Sequence, residues 1–276
     1  MNEPSAATHG QVIKSAAEVY EEFFVPALFE QWPARVLDTA RVTAGDDVLD
    51  VGCGTGILAR AAARRLNGSG SVTGIDINDG MLSIARKAPE PVTWRHGPAE
   101  HLPLPDHCFD RVVSQFALMF FADQEAGVRE MARVARPGGT ITIATWAGVD
   151  QSPGYAAMVE LLQRLFGDEA ANALKAPFTL GTKDKLHSVI DRILPEAEVT
   201  LHQGMAQFGS LEAWIHTDVR GWTLADMITD DQYAQLLAAA QEELAGFVDN
   251  KGRVRFPAPA LIATAPAPAS DHGSSG

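Results

Sequence analysis

Apolar and polar positions alternate in two recurring patterns along residues 45–146. Short, continuous apolar runs predict strands that are buried on both faces, and they lie at 48–51, 72–75, 92–95, 111–114 and 140–146. Apolar residues with a period near 3.6 predict helices between them, at 57–66, 81–87 and 125–135. Pro137, Gly138 and Gly139 predict a turn before the last of these strands. Strands that alternate with helices predict a doubly wound α/β fold.

The patterns on either side of this region are less regular. Helical spacing over 11–41 predicts helices with breaks at Pro26 and Pro33. After residue 147, helices are predicted at 155–166, 183–193, 211–219 and 231–248, and extended stretches at 198–208 and 253–263. We interpret the extended stretches as the last strands of a mostly parallel, seven-stranded sheet, and the later helices as cap insertions over the functional site.

This interpretation divides the chain into four parts. Residues 1–44 form N-terminal helices that act as a lid, and residues 45–147 form the ligand-binding core. Residues 148–265 supply the last strands and the cap. Residues 266–276 are rich in Ala, Pro, Ser and Gly and are predicted to form a mobile tail.

Composition and charge narrow the class of protein. The 276 residues are 46% hydrophobic and 21% charged, which is typical of a globular domain. The net charge of −13 disfavours a nucleic acid partner. The N-terminus lacks a secretory signal and no apolar run spans the roughly 20 residues that a bilayer requires, so we predict a cytoplasmic protein without integral membrane association. Cys53 and Cys108 lack metal-ligand spacing, so no metal site is predicted.

A glycine-rich loop carries the main functional signal. VLDVGCGTG at 48–56 places Gly52, Gly54 and Gly56 between a buried strand and a helix. Glycines there let a ligand approach the main chain closely, beside the free N–H groups of the helix start. Asp76 follows Gly56 by twenty residues and ends the second strand, where a carboxylate can accept hydrogen bonds from both ribose hydroxyls. The pair predicts a nucleoside site.

Nucleoside binding alone leaves more than one chemistry open. Gly54, Gly56 and Ala59 also fit the G-x-G-x-x-A pattern of dinucleotide-binding proteins, so an NAD(P)-dependent dehydrogenase is one candidate. Asp50 argues against it, because a carboxylate beside the loop repels a pyrophosphate and suits the ammonium of an amino acid. A binding protein without catalysis, which regulates a partner, is a third candidate.

Four segments, in order, resemble the class I S-adenosylmethionine-dependent methyltransferases, of the type that includes the ubiquinone and menaquinone C-methyltransferases. They are VLDVGCGTG at 48–56, GIDINDGML at 74–82, HGPAEHLPLPDHCFD at 96–110 and ARPGGTITIATW at 135–146. Together they cover about residues 45–146. The resemblance implies a Rossmann-like fold, S-adenosylmethionine as cofactor and a small-molecule methyl acceptor.

The resemblance also implies roles for individual residues. Those on the methionine part of the cofactor are Asp50, Gly52, Gly54 and Gly56, and Asp76 holds the ribose. Ile77 packs on the adenine, whose edge is lined by Ala99 and Glu100. Gln115 and Phe116 lie between cofactor and acceptor. Pro98 departs from the family pattern, which commonly has an acid there to accept from the adenine amino group.

The acceptor side is less specified by the sequence. Methyl transfer is an in-line displacement that needs a general base only if the acceptor loses a proton. His216 is the preferred base and His101 the alternative, with Arg220 as an anion anchor. Trp214 and Trp222 either face the acceptor or pack the cap onto the sheet. Tyr20, Phe24 and Trp32 likewise either cover the cofactor or pack in the core.

Aromatic residues recur through the cap. Their number favours a hydrophobic or aromatic acceptor, such as a quinone or a specialised metabolite. Methylation at oxygen, carbon or nitrogen fits the sequence equally, and a homodimer is among the assembly states it allows.

Overall fold

The computed structural model describes residues 14–220, 224 and 227–269, with side chains at all of these except 14–16 and 220. Its strands are β1 (Asp47–Val51), β2 (Ser71–Asp76), β3 (Thr93–His96), β4 (Phe109–Gln115), β5 (Ala135–Trp146), β6 (Glu198–His202), β7 (Met205–Phe208), β8 (Val254–Pro257) and β9 (Ala260–Pro266). Its α-helices are α1 (Lys14–Val19), α2 (Pro33–Thr39), α3 (Ile57–Leu66), α4 (Asp79–Ala85), α5 (Gln124–Val134), α6 (Pro153–Phe166), α7 (Asp168–Lys175), α8 (Lys183–Ile190), α9 (Leu211–Arg220) and α10 (Asp230–Glu243).

Seven of these strands form one sheet in the order β3-β2-β1-β4-β5-β9-β6. The first five strands of that order are parallel, whereas β9 runs antiparallel to both β5 and β6. The strand order reverses between β1 and β4, and in such sheets ligands bind outside the carboxyl ends of the strands at that reversal. The predicted Rossmann-like, doubly wound and mostly parallel α/β sheet is confirmed.

Local sequence explains where the core elements begin and end. β1 is buried along 48–51 because its apolar side chains face helices on both sides of the sheet. α3 ends at Asn67, which adopts a left-handed conformation at φ 46° and caps the helix. α4 begins after Asn78, whose side chain accepts a hydrogen bond from the Met81 N–H at 3.1 Å. These boundaries keep the β1–α3 and β2–α4 connections short.

The two predicted extended stretches are each divided between two sheets. β6 and β9 join the main sheet, while β7 and β8 pair with each other as a separate antiparallel ribbon. The chain changes sheet at Gly204, where an added Cβ would lie 2.3 Å from the Trp32 ring. Ala258 donates its N–H to the Gly204 carbonyl at 2.9 Å, and this hydrogen bond links the β6–β7 connection to the β8–β9 connection.

The N-terminal region differs from the predicted broken helices. Tyr20–Phe29 is a π-helical segment that contains Pro26 without a break. Its wider turns bond residues five apart, as in the hydrogen bond from the Glu30 N–H to the Val25 carbonyl at 2.9 Å. Pro33 begins α2, where its missing N–H costs nothing.

Three other predicted features are corrected by the structure. β5 begins at Ala135, directly after α5, so the predicted turn at 137–139 lies within the strand. The segment between the helices predicted at 155–166 and 183–193 contains a further helix, α7, which the sequence pattern did not predict. β9 continues to Pro266, and Ala267 donates its N–H to the Gly139 carbonyl at 2.9 Å, so ordered chain extends past the predicted start of the tail. Residues 270–276 lie outside the described residues.

Most of the helices that follow β5, which the sequence predicted to form a cap, pack on one another, whereas α8 packs on α5. α6 packs against α7 and α10, and α9 packs against α10 and the π-helical segment. Across the part of the chain that the structure describes, none of the helices is both long and apolar enough to cross a membrane.

Candidate functional site

A cavity of about 210 Å³ opens at the carboxyl ends of β1, β2 and β4, at the reversal of strand order. All of the predicted cofactor-binding residues line it except Gly56, and Phe116 lines it as well. The sequence did not single out Asn78, Met81 or Phe120, which complete the wall. The sequence could have indicated them only by their place in the segments that follow β2 and β4.

The glycine loop is tied to the end of the neighbouring strand. The N–H groups of Gly52 and Cys53 both donate to the Ile75 carbonyl, at 2.8 and 2.9 Å. Gly54 has φ +54°, and a Cβ added there would meet no atom within 4 Å. Gly56 has φ +89°, and its Cβ would lie 2.3 Å from Trp94, so this glycine is required by packing rather than by ligand contact.

Asp50 is a buried carboxylate with one oxygen unused. It is 1% exposed, and its Oδ2 accepts a hydrogen bond from the Ala59 N–H at 3.0 Å. No described residue donates to its buried Oδ1. Burial raises the pKa of Asp50 to about 8, and the charge of Asp76 adds to the rise. A cationic ligand group near Asp50 would favour its ionised form.

Asp76 connects the loop to the start of α4. Its Oδ2 accepts from the Gly54 N–H and its Oδ1 from the Asn78 N–H, both at 2.8 Å. Burial raises the pKa of Asp76, and these main-chain donors oppose the rise. Each oxygen retains lone-pair capacity toward the cavity, where hydroxyl donors of a sugar can bind.

The next part of the wall combines an exposed apolar side chain with a fixed acid. Ile77 is 48% exposed at the cavity, which is unusual for a large aliphatic side chain. Glu100 lines the same wall, and its Oε1 accepts from the Ala122 N–H at 2.7 Å. Pro98 and Ala99 supply no side-chain acceptor, so polar contacts on this wall come from Glu100 and the main chain.

The end of β4 is strained. Phe116 has φ +56°, a conformation that is rare for a bulky residue and that often marks a functional site. Its ring stacks on Trp146 with centroids 3.9 Å apart and planes 13° apart. Gln115 lines the cavity, and its Oε1 is buried with no hydrogen-bond partner among the described residues. An unpaired amide oxygen beside a cavity can accept from a ligand.

A second, smaller cavity of about 30 Å³ lies behind this aromatic stack. It is lined by Phe24, Leu28, Phe29, Trp146, Tyr155, Leu174, Pro177, Phe178 and Asp218. Trp146 stacks on Phe116, and Phe29 packs on Phe116 with ring centroids 5.5 Å apart, so one aromatic layer separates the two cavities. The second cavity is apolar except for Tyr155 and Asp218.

Comparisons with known proteins agree with this geometry. Residues 49–143 match a family model described as a methyltransferase domain. The ubiquinone/menaquinone biosynthesis C-methyltransferase of Chromobacterium violaceum is 35% identical over 143 residues, which are 50% of this chain and 58% of that protein. The demethylmenaquinone methyltransferase of Staphylococcus aureus is 34% identical over 137 residues, 48% of this chain and 57% of that protein. Residues 49–143 are therefore similar to a methyltransferase domain.

A solved structure extends the likeness in fold. Phosphoethanolamine N-methyltransferase 2 of Haemonchus contortus, in complex with phosphomonomethylethanolamine and S-adenosylhomocysteine, has a TM-score of 0.58 and is 18% identical. The match covers 93% of this chain and 58% of that chain, and at this identity it shows the fold alone. The chain spans less than two thirds of the length of the curated relatives that it matches.

S-adenosylmethionine is the cofactor of this class of domain, and three features of the first cavity fit it. The unpartnered Asp50 Oδ1 suits an ammonium group, and open space at Gly54 lets a ligand approach the main chain. Exposed Ile77 offers an apolar surface to the adenine. Among the described side chains, no group of three or more His, Cys, Asp or Glu residues could hold a metal ion.

The predicted lid residues divide between the two cavities. Tyr20 lines the first cavity and Phe24 the second. Trp32 lines neither and is fully buried, with its ring centroid 5.6 Å from that of Phe116 and 5.9 Å from that of Trp146. The lid interpretation therefore fits Tyr20 alone, and Trp32 supports the aromatic layer from behind.

The described side chains among the cap residues predicted to act on the acceptor line neither cavity. Trp214 is fully buried in an aromatic cluster with Tyr155, Phe208 and Phe256. Its side chain therefore packs α9 onto the β7–β8 ribbon. His216 is partly exposed and packs edge-on against Phe23 with centroids 5.7 Å apart, and it lines neither cavity. The side chain of Arg220 and the whole of Trp222 lie outside the described residues. His101 is exposed at the surface.

Trp214→Ala is expected to destabilise the protein by about 3–5 kcal/mol, because it leaves a large cavity among packed rings. The Trp214 ring centroid lies 4.7 Å from that of Phe256, and Trp214 does not line the cofactor cavity, so affinity for S-adenosylmethionine should change less than twofold. Chemical denaturation and calorimetric titration measure the two quantities. A tenfold loss of cofactor affinity at unchanged stability would indicate instead that Trp214 contributes to the cofactor site.

Proposed function

We propose that the protein is an S-adenosylmethionine-dependent methyltransferase whose acceptor is a hydrophobic or aromatic small molecule. The observation that carries this proposal is the apolar second cavity, which one aromatic layer separates from the cofactor cavity. Two adjoining sites, one fitted to the cofactor and one apolar, are what methyl transfer to an apolar acceptor requires. The curated relatives support the same class of acceptor, because one is a ubiquinone/menaquinone biosynthesis C-methyltransferase and the other a demethylmenaquinone methyltransferase.

The bound cofactor supplies a methyl group that its sulfonium already activates for in-line displacement. The chain's own residues contribute binding, orientation and exclusion of water. Asp50 and the main chain at Gly54 bind the amino acid end, and Asp76 accepts from the sugar hydroxyls. Phe116 and Trp146 form an apolar wall between the two cavities that keeps water from the reacting atoms. Transfer requires Phe116 to turn aside, because the reacting atoms must come within about 3.5 Å of each other.

A quinone ring is one acceptor that fits, and a specialised metabolite fits equally. The cap was predicted to select the acceptor, and its aromatic walls leave the second cavity apolar at all but two side chains. The proposal includes a small-molecule partner rather than a nucleic acid, since the chain carries a net charge of −13. A cytoplasmic location and a homodimer are carried over from the sequence as parts of this proposal.

Calorimetric titration with S-adenosylmethionine, S-adenosylhomocysteine and NAD tests the cofactor. We expect both adenosyl compounds to bind and NAD to show no heat of binding. Incubation with S-adenosylmethionine and a panel of phenols, quinols and amines, followed by mass spectrometry, should then reveal a product that is one methyl group heavier. Binding of NAD in place of the adenosyl compounds would favour the dehydrogenase. Tight cofactor binding with no product from any acceptor class would favour the non-catalytic regulator.

A further inference from the structure

Asp218 is a buried acid with few hydrogen-bond partners among the described residues. It lies on α9, is 3% exposed and lines the second cavity. Its Oδ1 accepts from the Tyr155 hydroxyl at the long distance of 3.5 Å. No described residue donates a hydrogen bond to Oδ2, which is also buried. Burying a carboxyl without partners is costly, so a native structure that retains one suggests an external partner.

Among the described side chains that line the second cavity, none carries a charge that would compensate Asp218. The lining from the π-helical segment, β5, α7 and the 177–178 turn is apolar. Tyr155, on α6, is the other titratable lining side chain in the described part of the molecule. Trp214 lies one turn earlier on α9, and its indole N–H is near enough to Asp218 to lower its pKa, although it makes no hydrogen bond of normal geometry with either carboxyl oxygen. Burial raises the pKa of Asp218 to about 8, and the Trp214 and Tyr155 side chains oppose the rise.

Cavity size restricts what can meet this carboxyl. About 30 Å³ is room for roughly two water molecules, since one needs about 10–15 Å³ on this measure. A carboxylate, sulfate or phosphate ligand would find no basic side chain in the described lining and would be repelled by the ionised form of Asp218. An ammonium has three donors to satisfy, and the described lining offers acceptors only at Asp218 and the Tyr155 oxygen. A hydroxyl has one donor, which Oδ2 alone satisfies.

We propose that Asp218, supported by Tyr155, is the acceptor's polar subsite, and that Oδ2 accepts a hydrogen bond from a hydroxyl on an otherwise apolar, ring-containing acceptor. The hydroxyl and the ring edge that carries it enter the second cavity, where Trp146 and Phe29 supply the apolar contacts. Asp218 is thereby a residue that determines specificity. The identification of the occupant as a methyl acceptor rests on the proposed function, whereas the hydroxyl preference is a property of the site itself.

The test compares two probes that differ by one group, p-cresol and p-xylene, in ligand-observed NMR titrations of the full chain. We expect the wild type to bind p-cresol about tenfold more tightly than p-xylene. Asp218→Leu should remove this preference and leave p-xylene binding within twofold of the wild type. Glu212→Gln, an exposed acid on the same helix, is the matched control and should behave as the wild type.

The pH dependence provides a second readout. The ionised carboxylate is the stronger hydrogen-bond acceptor, so affinity for p-cresol should rise as pH increases through about 8, the pKa of Asp218. A phenol remains protonated over this range because its own pKa is about 10. Asp218→Asn preserves the shape but cannot ionise, so its affinity should not vary with pH.

Equal binding of the two probes by the wild type, or a preference for p-cresol that survives in Asp218→Leu with its pH dependence, would overturn the proposal. Circular dichroism and thermal unfolding confirm that each variant is folded before it is titrated. Calorimetry with S-adenosylhomocysteine is run on the same samples. Cofactor binding without a hydroxyl preference contradicts the subsite alone, whereas loss of cofactor binding in the wild type contradicts the proposed function.

Discussion

Asp76→Asn is expected to weaken S-adenosylmethionine binding about 100-fold, which corresponds to roughly 2.7 kcal/mol. Each oxygen of Asp76 accepts a main-chain N–H at 2.8 Å, and the amide places an NH₂ donor against one of those N–H groups. The variant therefore loses a charge-assisted acceptor for the ribose and disturbs the Gly54 loop at the same time. Calorimetric titration measures the affinity.

Asp79→Asn is the matched control for this substitution. Asp79 is an exposed acid in the first turn of α4, three residues from Asp76, and it does not line the cavity. Its replacement should change cofactor affinity less than twofold. Similar losses in both variants would mean that net charge, rather than a specific contact, determines binding.

Gly54→Ala is expected to reduce cofactor affinity at least tenfold while it costs the fold only about 1–2 kcal/mol. The fold cost arises from φ +54°, which an L-residue adopts with strain. The affinity cost arises because the added methyl group meets no protein atom within 4 Å and would occupy space on the cavity wall where a ligand approaches the main chain. Denaturation and calorimetry separate the two effects.

Gly138→Ala isolates the backbone strain from the ligand effect. Gly138 has φ +80°, its Cβ would also meet no atom within 4 Å, and it is exposed and distant from both cavities. We expect the same loss of stability as in Gly54→Ala, with cofactor affinity preserved. If the two variants bound S-adenosylmethionine equally well, the loop would not be the cofactor's contact surface.

The cofactor half of the molecule could be predicted from the sequence because its signals are local. A buried strand, three glycines and a following helix occupy one continuous segment, and α3 begins and ends at the predicted residues, 57 and 66. Asp76 could be placed because an acid that ends a parallel strand lies at the same sheet edge as the loop. Gly56 shows the limit of such reasoning. A larger residue is excluded at this position by the ring of Trp94, which lies far along the chain.

The acceptor half could not be predicted in the same way because its contacts join distant segments. The alternation of 198–208 continues through Gly204, so no local pattern shows that the chain changes sheet there. Trp214 and Asp218 lie one turn apart on α9, and helical spacing cannot tell which of them faces a cavity. Trp214, for which the sequence left acceptor contact and core packing open, lies in the core, whereas Asp218, which the sequence did not single out, lines the second cavity.

Chemistry in the cap therefore depends on tertiary contacts that only the folded chain defines. Tyr155 approaches Asp218 across 63 residues of sequence, and Phe24 reaches the same cavity from the N-terminal region. Pro26 illustrates the same point for backbone structure, because its predicted helix break is absorbed by π-helical turns that pack on α9.

A crystal structure of the protein grown with S-adenosylhomocysteine tests the central claim most directly. The account predicts ligand density in the 210 Å³ cavity, with the amino acid end beside Asp50 and Gly54 and both ribose hydroxyls on the Asp76 carboxylate. Density at another place on the protein, with the glycine loop and Asp76 free of ligand, would contradict it.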